Sequence, residues 1–366
     1  MTELLVDGKN AFPWIISCIR RAKKSIYINM FIWRNDCIGN LIAEEVLAAA
    51  ERGVHVHISK DRYGIICESC EETRKSFFHR RPVLKEKISI SALHFLYARN
   101  GKAPFEAAVD DGGLLGKILS HPNITVEANE NKYDHSKFYV FDDKTVILGG
   151  VNIEDKENSV DYFGRSYRDY MIIFDDPQLV DEFLTCRKEC KSSLHFGMNI
   201  KKPLAHSGMQ KAYLDLITSS KEFLTIVMAY FSPLPDFEKA ILEAAERNVK
   251  VKIIIPRKAN FQDNLNKYTV HRLLKKSGGR IEVYTYPQML HAKLLMNESK
   301  ISLGSCNITK KAFNQLDELN TFLPNDSSSC ALQIRNSVEE SLNVSDRIDE
   351  SVKYNLLAAK TESLFI

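Results

Sequence analysis

The sequence predicts an α/β protein folded as two similar lobes. Two observations carry this. Residues 49–58 read Ala-Ala-Glu-Arg-Gly-Val-His-Val-His-Ile, and residues 244–253 read Ala-Ala-Glu-Arg-Asn-Val-Lys-Val-Lys-Ile. Each copy joins the end of a helix-spaced pattern to the start of an alternating one, so the match falls in the same structural slot twice. Around both copies, helix-spaced and strand-like segments succeed one another, the order expected of a sheet with helices packed on it.

In the first lobe an amphipathic helix over 11–24 leads into a strand over 25–31. A second helix over 42–50 ends at Gly53, where a left-handed residue commonly closes a helix, and a strand begins at Val54. A strand over 138–141, turn residues Asp142, Asp143 and Lys144, and a return strand over 145–148 form a hairpin. A strand over 170–174 and a helix over 177–190 complete the lobe. The second lobe repeats the series with a helix over 210–221, a strand over 223–230, a helix over 237–245 closed at Asn248, a hairpin over 294–303, a strand over 320–323 and a helix over 328–342. The division is placed at 197, giving lobes of residues 1–197 and 198–366, the latter with C-terminal helices. From Glu51 to His135 the chain is much longer than from Glu246 to His291, so the first lobe carries an insertion around 63–122.

Chemistry-bearing residues fall on the repeat. The first lobe has His135-Ser-Lys137, then Asp142, then Gly149-Gly150-Val-Asn152. The second has His291-Ala-Lys293, then Glu298, then Gly304-Ser305-Cys-Asn307. Residues two apart on a strand share a face, and each hairpin returns its asparagine beside its own histidine and lysine. A phosphodiester gains charge on its oxygens during substitution, which fixed Lys and Asn donors stabilise. Imidazole serves as nucleophile or as proton donor near neutral pH. Two half-sites supply one histidine for each role, and this chemistry calls for neither metal nor cofactor.

The paired motifs resemble those of the phospholipase D superfamily, and within it bacterial cardiolipin synthases and their close relatives. Asp7-Gly8, Asp36-x2-Gly39, Arg168-Asp169, Tyr230-Phe-Ser-Pro233 and the run from Tyr286 to Lys293 extend the resemblance over nearly the whole chain. It implies two α/β/α lobes from an internal duplication, with the active site at their interface. It also implies roles: His135 as the nucleophile that forms a phosphohistidine, and His291 as the acid/base. Lys137, Lys293, Asn152 and Asn307 would hold the phosphoryl oxygens with Ser305 nearby, and Asp169 and Glu318 would orient the histidines. Asp142 and Glu298 complete the two motifs, at a position that usually braces the turn. The sequence departs from the family there, since Glu298 replaces Asp in a shorter hairpin and Asn297 could serve instead. It departs again at Gly150, which replaces a Ser.

The implied activity is transfer of a phosphatidyl group from a phospholipid to an alcohol. Hydrolysis to phosphatidic acid is the alternative, depending on whether the site excludes water. A metal-independent nuclease is a further alternative, which a net charge of only +3 disfavours. With 44% hydrophobic and 27% charged residues the composition is that of a globular protein. No apolar run is long enough to span a bilayer and the N-terminal residues make a poor signal peptide. The expected location is therefore the cytoplasm, with peripheral contact to an anionic membrane. No nucleic acid and no oligomer are required. The insertion, with Arg74, Lys75, Arg80, Arg81, Lys85 and Lys87 interleaved with Phe77 and Phe78, is a candidate lipid-binding segment; single-stranded nucleic acid or an ordinary solvated helix are the alternatives. Eight cysteines read as mostly reduced. Cys67, Cys70, Cys186 and Cys190 could form a four-thiolate zinc site only if the two pairs approach one another.

Overall fold

The computed structural model describes residues 2–70, 75–79, 82–97, 106–107, 112–128, 133–158, 164–199 and 208–364. The first lobe runs β1 (Thr2–Val6), α1 (Asp7–Arg21), β2 (Ser25–Met30), α2 (Cys37–Glu51), β3 (His55–Lys60), α3 (Gly64–Cys70), α4 (Leu84–Tyr97), α5 (Leu114–Ser120), β4 (Ile124–Glu127), β5 (Phe138–Phe141), β6 (Thr145–Gly149), α6 (Asp155–Asn158), β7 (Tyr170–Phe174) and α7 (Pro177–Glu189). Its sheet has the order β1-β7-β6-β5-β2-β3-β4. The pairs β2–β3 and β3–β4 are parallel and the others antiparallel.

The second lobe runs β8 (Phe196–Asn199), α8 (Gly208–Ser219), β9 (Phe223–Met228), α9 (Pro235–Glu246), β10 (Lys250–Pro256), α10 (Asp263–Ser277), β11 (Ile281–Tyr286), β12 (Lys293–Asn297), β13 (Lys300–Gly304), α11 (Lys310–Asn314), β14 (Glu318–Pro324), α12 (Ser329–Asn343), β15 (Asp346–Ile348) and α13 (Leu356–Ser363). Its sheet order, β8-β14-β13-β12-β9-β10-β11-β15, repeats the first strand for strand and adds one edge. The strand β8 straddles residue 197 and belongs wholly to the second sheet.

Local chemistry explains the elements. In α1 the residues Ala11, Phe12, Ile15, Cys18 and Ile19 are buried at helical spacing, and Asp7 and Arg20–Arg21 sit at the ends that the helix dipole favours. Asp176 caps α7 by accepting from the Gln178 and Leu179 N–H groups at 3.0 and 3.2 Å, Pro177 opens the helix, and Cys190 closes it in the left-handed region. Gly53 and Asn248 have φ of 90° and 65°, the left-handed closures expected of them.

One face of each sheet carries its own helices, with α1 and α2 over the first and α8, α9 and α10 over the second. The other faces meet. Phe138, Val140, Leu148 and Ile172 of the first sheet share a core with Val227, Leu294, Leu303 and Leu319 of the second. Helices α7 and α12 join this shared core through Phe183 and Ile334, and Gln333 of α12 accepts the Leu4 N–H of β1 at 3.1 Å. The insertion supplies α3, α4 and α5. Phe77 and Phe78 do not face outward but pack on Trp33 in the first-lobe core, where the Phe77 N–H donates to the Trp33 carbonyl at 3.0 Å. Arg74, Arg80 and Arg81 lie outside the described residues. Among the described residues no helix is long and apolar enough to cross a membrane.

Candidate active site

The strands β5 and β12 lie in the interiors of the two facing sheets, and the His-x-Lys segments stand at their starts. The His135 N–H donates to the Asp317 carbonyl at 2.8 Å, and the His291 N–H donates to the Arg168 carbonyl at 2.8 Å. Each histidine is thereby docked on the residue just before the other lobe's acid. The side chains follow. Nδ1 of His135 lies 3.1 Å from both oxygens of Glu318, and Nδ1 of His291 lies 2.7 Å from an oxygen of Asp169. The two acids are exchanged between lobes.

Around this pair of contacts the half-sites are built alike. Lys137 and Lys293 are buried, and each ammonium donates to the carbonyl of its own histidine. Lys293 Nζ also stands 3.9 Å from Asp169. The amide oxygens of Asn152 and Asn307 accept the N–H groups of Ile32 and Tyr230, each at 3.3 Å, which leaves the NH2 as the donor end. The His135 ring stands edge-on to Phe31, with centroids 4.7 Å apart, and Tyr167 and Tyr230 flank His291.

Two differences break the symmetry. The Ser305 hydroxyl donates to Glu318 at 2.5 Å, so it serves the orienting acid. Its counterpart Gly150 has no hydroxyl, and a Cβ there would lie 2.4 and 2.5 Å from the Asp169 carboxylate oxygens. Glycine is what lets Asp169 reach His291. The second difference is Glu157 on α6, whose carboxylate lies 3.2 Å from His291 Nδ1.

Asp142 and Glu298 stand apart from this centre, at the far ends of β5 and β12. Asp142 accepts the N–H groups of Lys23, Lys24 and Ser25, and Glu298 those of Lys221 and Glu222. Counted with the catalytic residues by motif, both are braces for the strand starts of β2 and β9. Glu298 takes this part despite the shorter hairpin, and Asn297 holds the turn itself by accepting from Ser299 and Lys300 N–H groups.

The chain matches the family described as cardiolipin synthase, PLD-like domain, over residues 15–187 and 213–341. It belongs to this family. It is similar to the cardiolipin synthase of Alkalihalophilus pseudofirmus, at 25% identity over 89% of this chain and 63% of that protein. It is likewise similar to cardiolipin synthase B of Escherichia coli K12, at 23% identity over 84% of this chain and 72% of that protein. The chain thus spans only 63% of the length of the first of these relatives. Among solved structures, phosphatidylserine synthase of Haemophilus influenzae Rd KW20 matches with a TM-score of 0.73 and 14% identity, over 100% of this chain and 92% of that one. That likeness shows the fold.

Within this family fold the two half-sites differ in charge. Burial, together with Lys137, Lys293 and His291, holds His135 well below the usual histidine range. Burial raises Glu318 to about 8, against the pull of Lys137. His135 and Glu318 therefore favour an uncharged pair. Burial and Lys293 also disfavour a charged His291, but Glu157 and Asp169 outweigh them and raise it above its ordinary value. Asp169 stays below the usual carboxylate range despite burial, because Lys293 and His291 hold its charge. The second half-site is an ion pair. Burial lowers Lys137 to about 7; an anionic phosphodiester beside it would restore its proton.

Among the described residues, Glu157, Asp169 and His291 form the one group whose potential ligand atoms lie within 4.8 Å of one another. The 2.7 Å contact is a hydrogen-bond length, and Lys293 already supplies a cation beside Asp169. We therefore read the group as an acid cluster on an imidazolium. No such group contains Cys67, Cys70, Cys186 or Cys190. Cys70 packs in a small cluster with Ile65 and Ile66, while Cys186 lies in the shared core, so the pairs do not meet.

Sequence reasoning missed Glu157 and the exchange of acids. Glu157 lies five residues after Asn152, and the equivalent residue of the second lobe is Ala312; comparison of the two copies was the available signal. It also left Asp7 without a role. Asp7 binds Asp169 through both backbone groups, with its N–H on the Asp169 carbonyl at 2.8 Å and its carboxylate on the Asp169 N–H at 3.0 Å.

Proposed function

We propose that this chain transfers a phosphatidyl group through a phosphohistidine on His135 to an alcohol acceptor, as in a cardiolipin synthase. The observation that carries the reading is one buried site in which two His-x-Lys pairs meet, each histidine held at Nδ1 by an acid of the other lobe. Each commits Nδ1 to an acid, so Nε2 does the chemistry. Neutral His135 attacks phosphorus, forming the N–P bond as the P–O bond to the leaving alcohol breaks. His291 gives that oxygen its proton. The acceptor alcohol then loses its proton to His291, its oxygen attacks phosphorus, and His135 is released. Lys137, Lys293 and the two asparagines hold the phosphoryl oxygens throughout.

The membrane face we assign to α4. Its inner side, with Ile90 and Leu93, packs in one cluster with Ile65, Ile66, Phe261 and Tyr63, and Tyr63 meets Phe31, whose ring faces His135. Leu84 and Ile88, one turn apart, are 76% and 66% exposed, and Lys85 and Lys87 flank them. Apolar side chains bordered by lysines suit an anionic lipid surface.

The test incubates pure protein with phosphatidylglycerol vesicles and with single-stranded DNA, and identifies products by mass. Cardiolipin plus glycerol is the expected result; phosphatidic acid alone would make the chain a hydrolase, and cleaved DNA with intact lipid would overturn both lipid readings. In the same assay His135→Ala loses turnover by at least about a thousandfold, together with any acid-trapped phosphoenzyme. Near-normal rates in that variant would remove His135 as nucleophile.

A further inference from the structure

We propose that Glu157 is a positioning residue for His291, a second carboxylate on Nδ1 that keeps this histidine as the proton carrier of the pair. The proposal rests on the reading of His291 as the acid/base of the reaction.

Glu157 is fully buried, and among the described residues the partner of its carboxylate is His291. Its near polar neighbour is His291 Nδ1, at 3.2 Å. A buried carboxylate without donors is strongly disfavoured; an imidazolium alongside it is the counter-charge that makes it tolerable. The segment leaves it little freedom to turn away. Asp155, two residues earlier, accepts the Ile38 N–H at 2.8 Å and donates its own N–H to Asp36 at 2.8 Å. Glu154 is held by Arg34 at 2.6 Å and by Lys156 at 3.1 Å. The Glu157 carbonyl lies 2.5 Å from where a Cβ on Gly8 would stand, so the helix α1 closes over it.

The charges facing His291 show why one acid is not enough. Asp169 is shared, 2.7 Å from Nδ1 and 3.9 Å from the Lys293 ammonium. Lys293 opposes an imidazolium at His291, and His291 in turn presses on His135. Tyr167 and Tyr230 present rings. Burial, with Asp169 and Glu154 nearby, raises Glu157 to about 7, and an imidazolium at His291 draws it back toward the ionised form. Glu157 then supplies the charge that Asp169 divides with Lys293. Among the described residues the other half-site has no such group: Ala312 occupies the equivalent position, and Ser305 supports Glu318 instead. Glu157 thus adds to the difference already set by an ionised Asp169 on one histidine and an uncharged Glu318 on the other.

The experiment is a histidine-labelled NMR titration of the full chain, with the His291 signal assigned by His291→Gln. In Glu157→Gln the His291 midpoint falls by about one pH unit or more, a tenfold loss of proton affinity. In Glu157→Asp, whose carboxylate is withdrawn by one methylene, it falls by about half as much. The basic limb of kcat/KM moves down with it. An unshifted His291 midpoint in folded Glu157→Gln overturns the proposal. Should that variant not fold, an unshifted midpoint in Glu157→Asp does the same. The titration needs no turnover, so it still decides on Glu157 if wild-type rates lack a basic limb and the acid/base reading of His291 fails.

Discussion

Two histidines in nearly identical sequence settings are held in different charge states, and the difference comes from single residues. Burial, Lys137 and Lys293 press His135 toward neutrality, while Glu157 and Asp169 outweigh burial and Lys293 and hold a proton on His291. The sign for catalysis follows. The nucleophile must be neutral, so activity is lost as pH falls through the lowered His135 value. The acid must be protonated, so activity is lost as pH rises through the raised His291 value. We predict a bell-shaped kcat/KM on a soluble phosphodiester, its limbs falling on either side of the ordinary histidine value of about 6.5. A profile with both limbs on one side of that value would count against the assignment. The histidines and lysines were legible in the sequence because the duplication displays them twice, and Asp169 and Glu318 through the family resemblance. Glu157 was not, because it has no second copy and its partner belongs to the other lobe.

The hairpins position the chemistry from their far ends. Asp142 gathers three N–H groups where α1 gives way to β2, so it fixes the strand beside β5 and leaves the reacting groups alone. Asp142→Ala is expected to cost about 1–2 kcal/mol of stability in urea unfolding, with kcat per folded molecule near wild type. A large fall in kcat at full stability would return Asp142 to the reacting set. Those N–H bonds hold its carboxyl below the usual range, though burial opposes them. Its stabilisation is therefore present above the unfolded value and lost as pH falls through the lower folded one. Strand and helix positions were legible from period and turn residues. The fate of Phe77 and Phe78 was not: aromatic residues beside basic ones suit a lipid face or a core equally, and here the space under Trp33 decides.

At the scale of the molecule, the facing sheets make one core and one site from two copies. The repeat in the sequence implied two lobes, but periodicity is blind to how lobes dock, and so the exchange of acids was invisible. The membrane face proposed for α4 belongs to this scale too. The exposed side of α4 carries Leu84 and Ile88, so Leu84→Glu with Ile88→Glu should lower binding to anionic vesicles by about tenfold or more in sedimentation. Thermal stability should be unchanged, since both side chains point to solvent. Binding equal to wild type would move the membrane face elsewhere.

The exchanged acids also govern how such a gene can be recombined. His135 is bonded to Glu318 and His291 to Asp169, so a single crossover between the lobes separates both pairs at once. A chimera joined there inherits each histidine from one parent and its acid from the other. Parents whose lobes drifted apart would yield hybrids mismatched in the shared core and at both imidazoles. The two halves of this chain are bound to descend together.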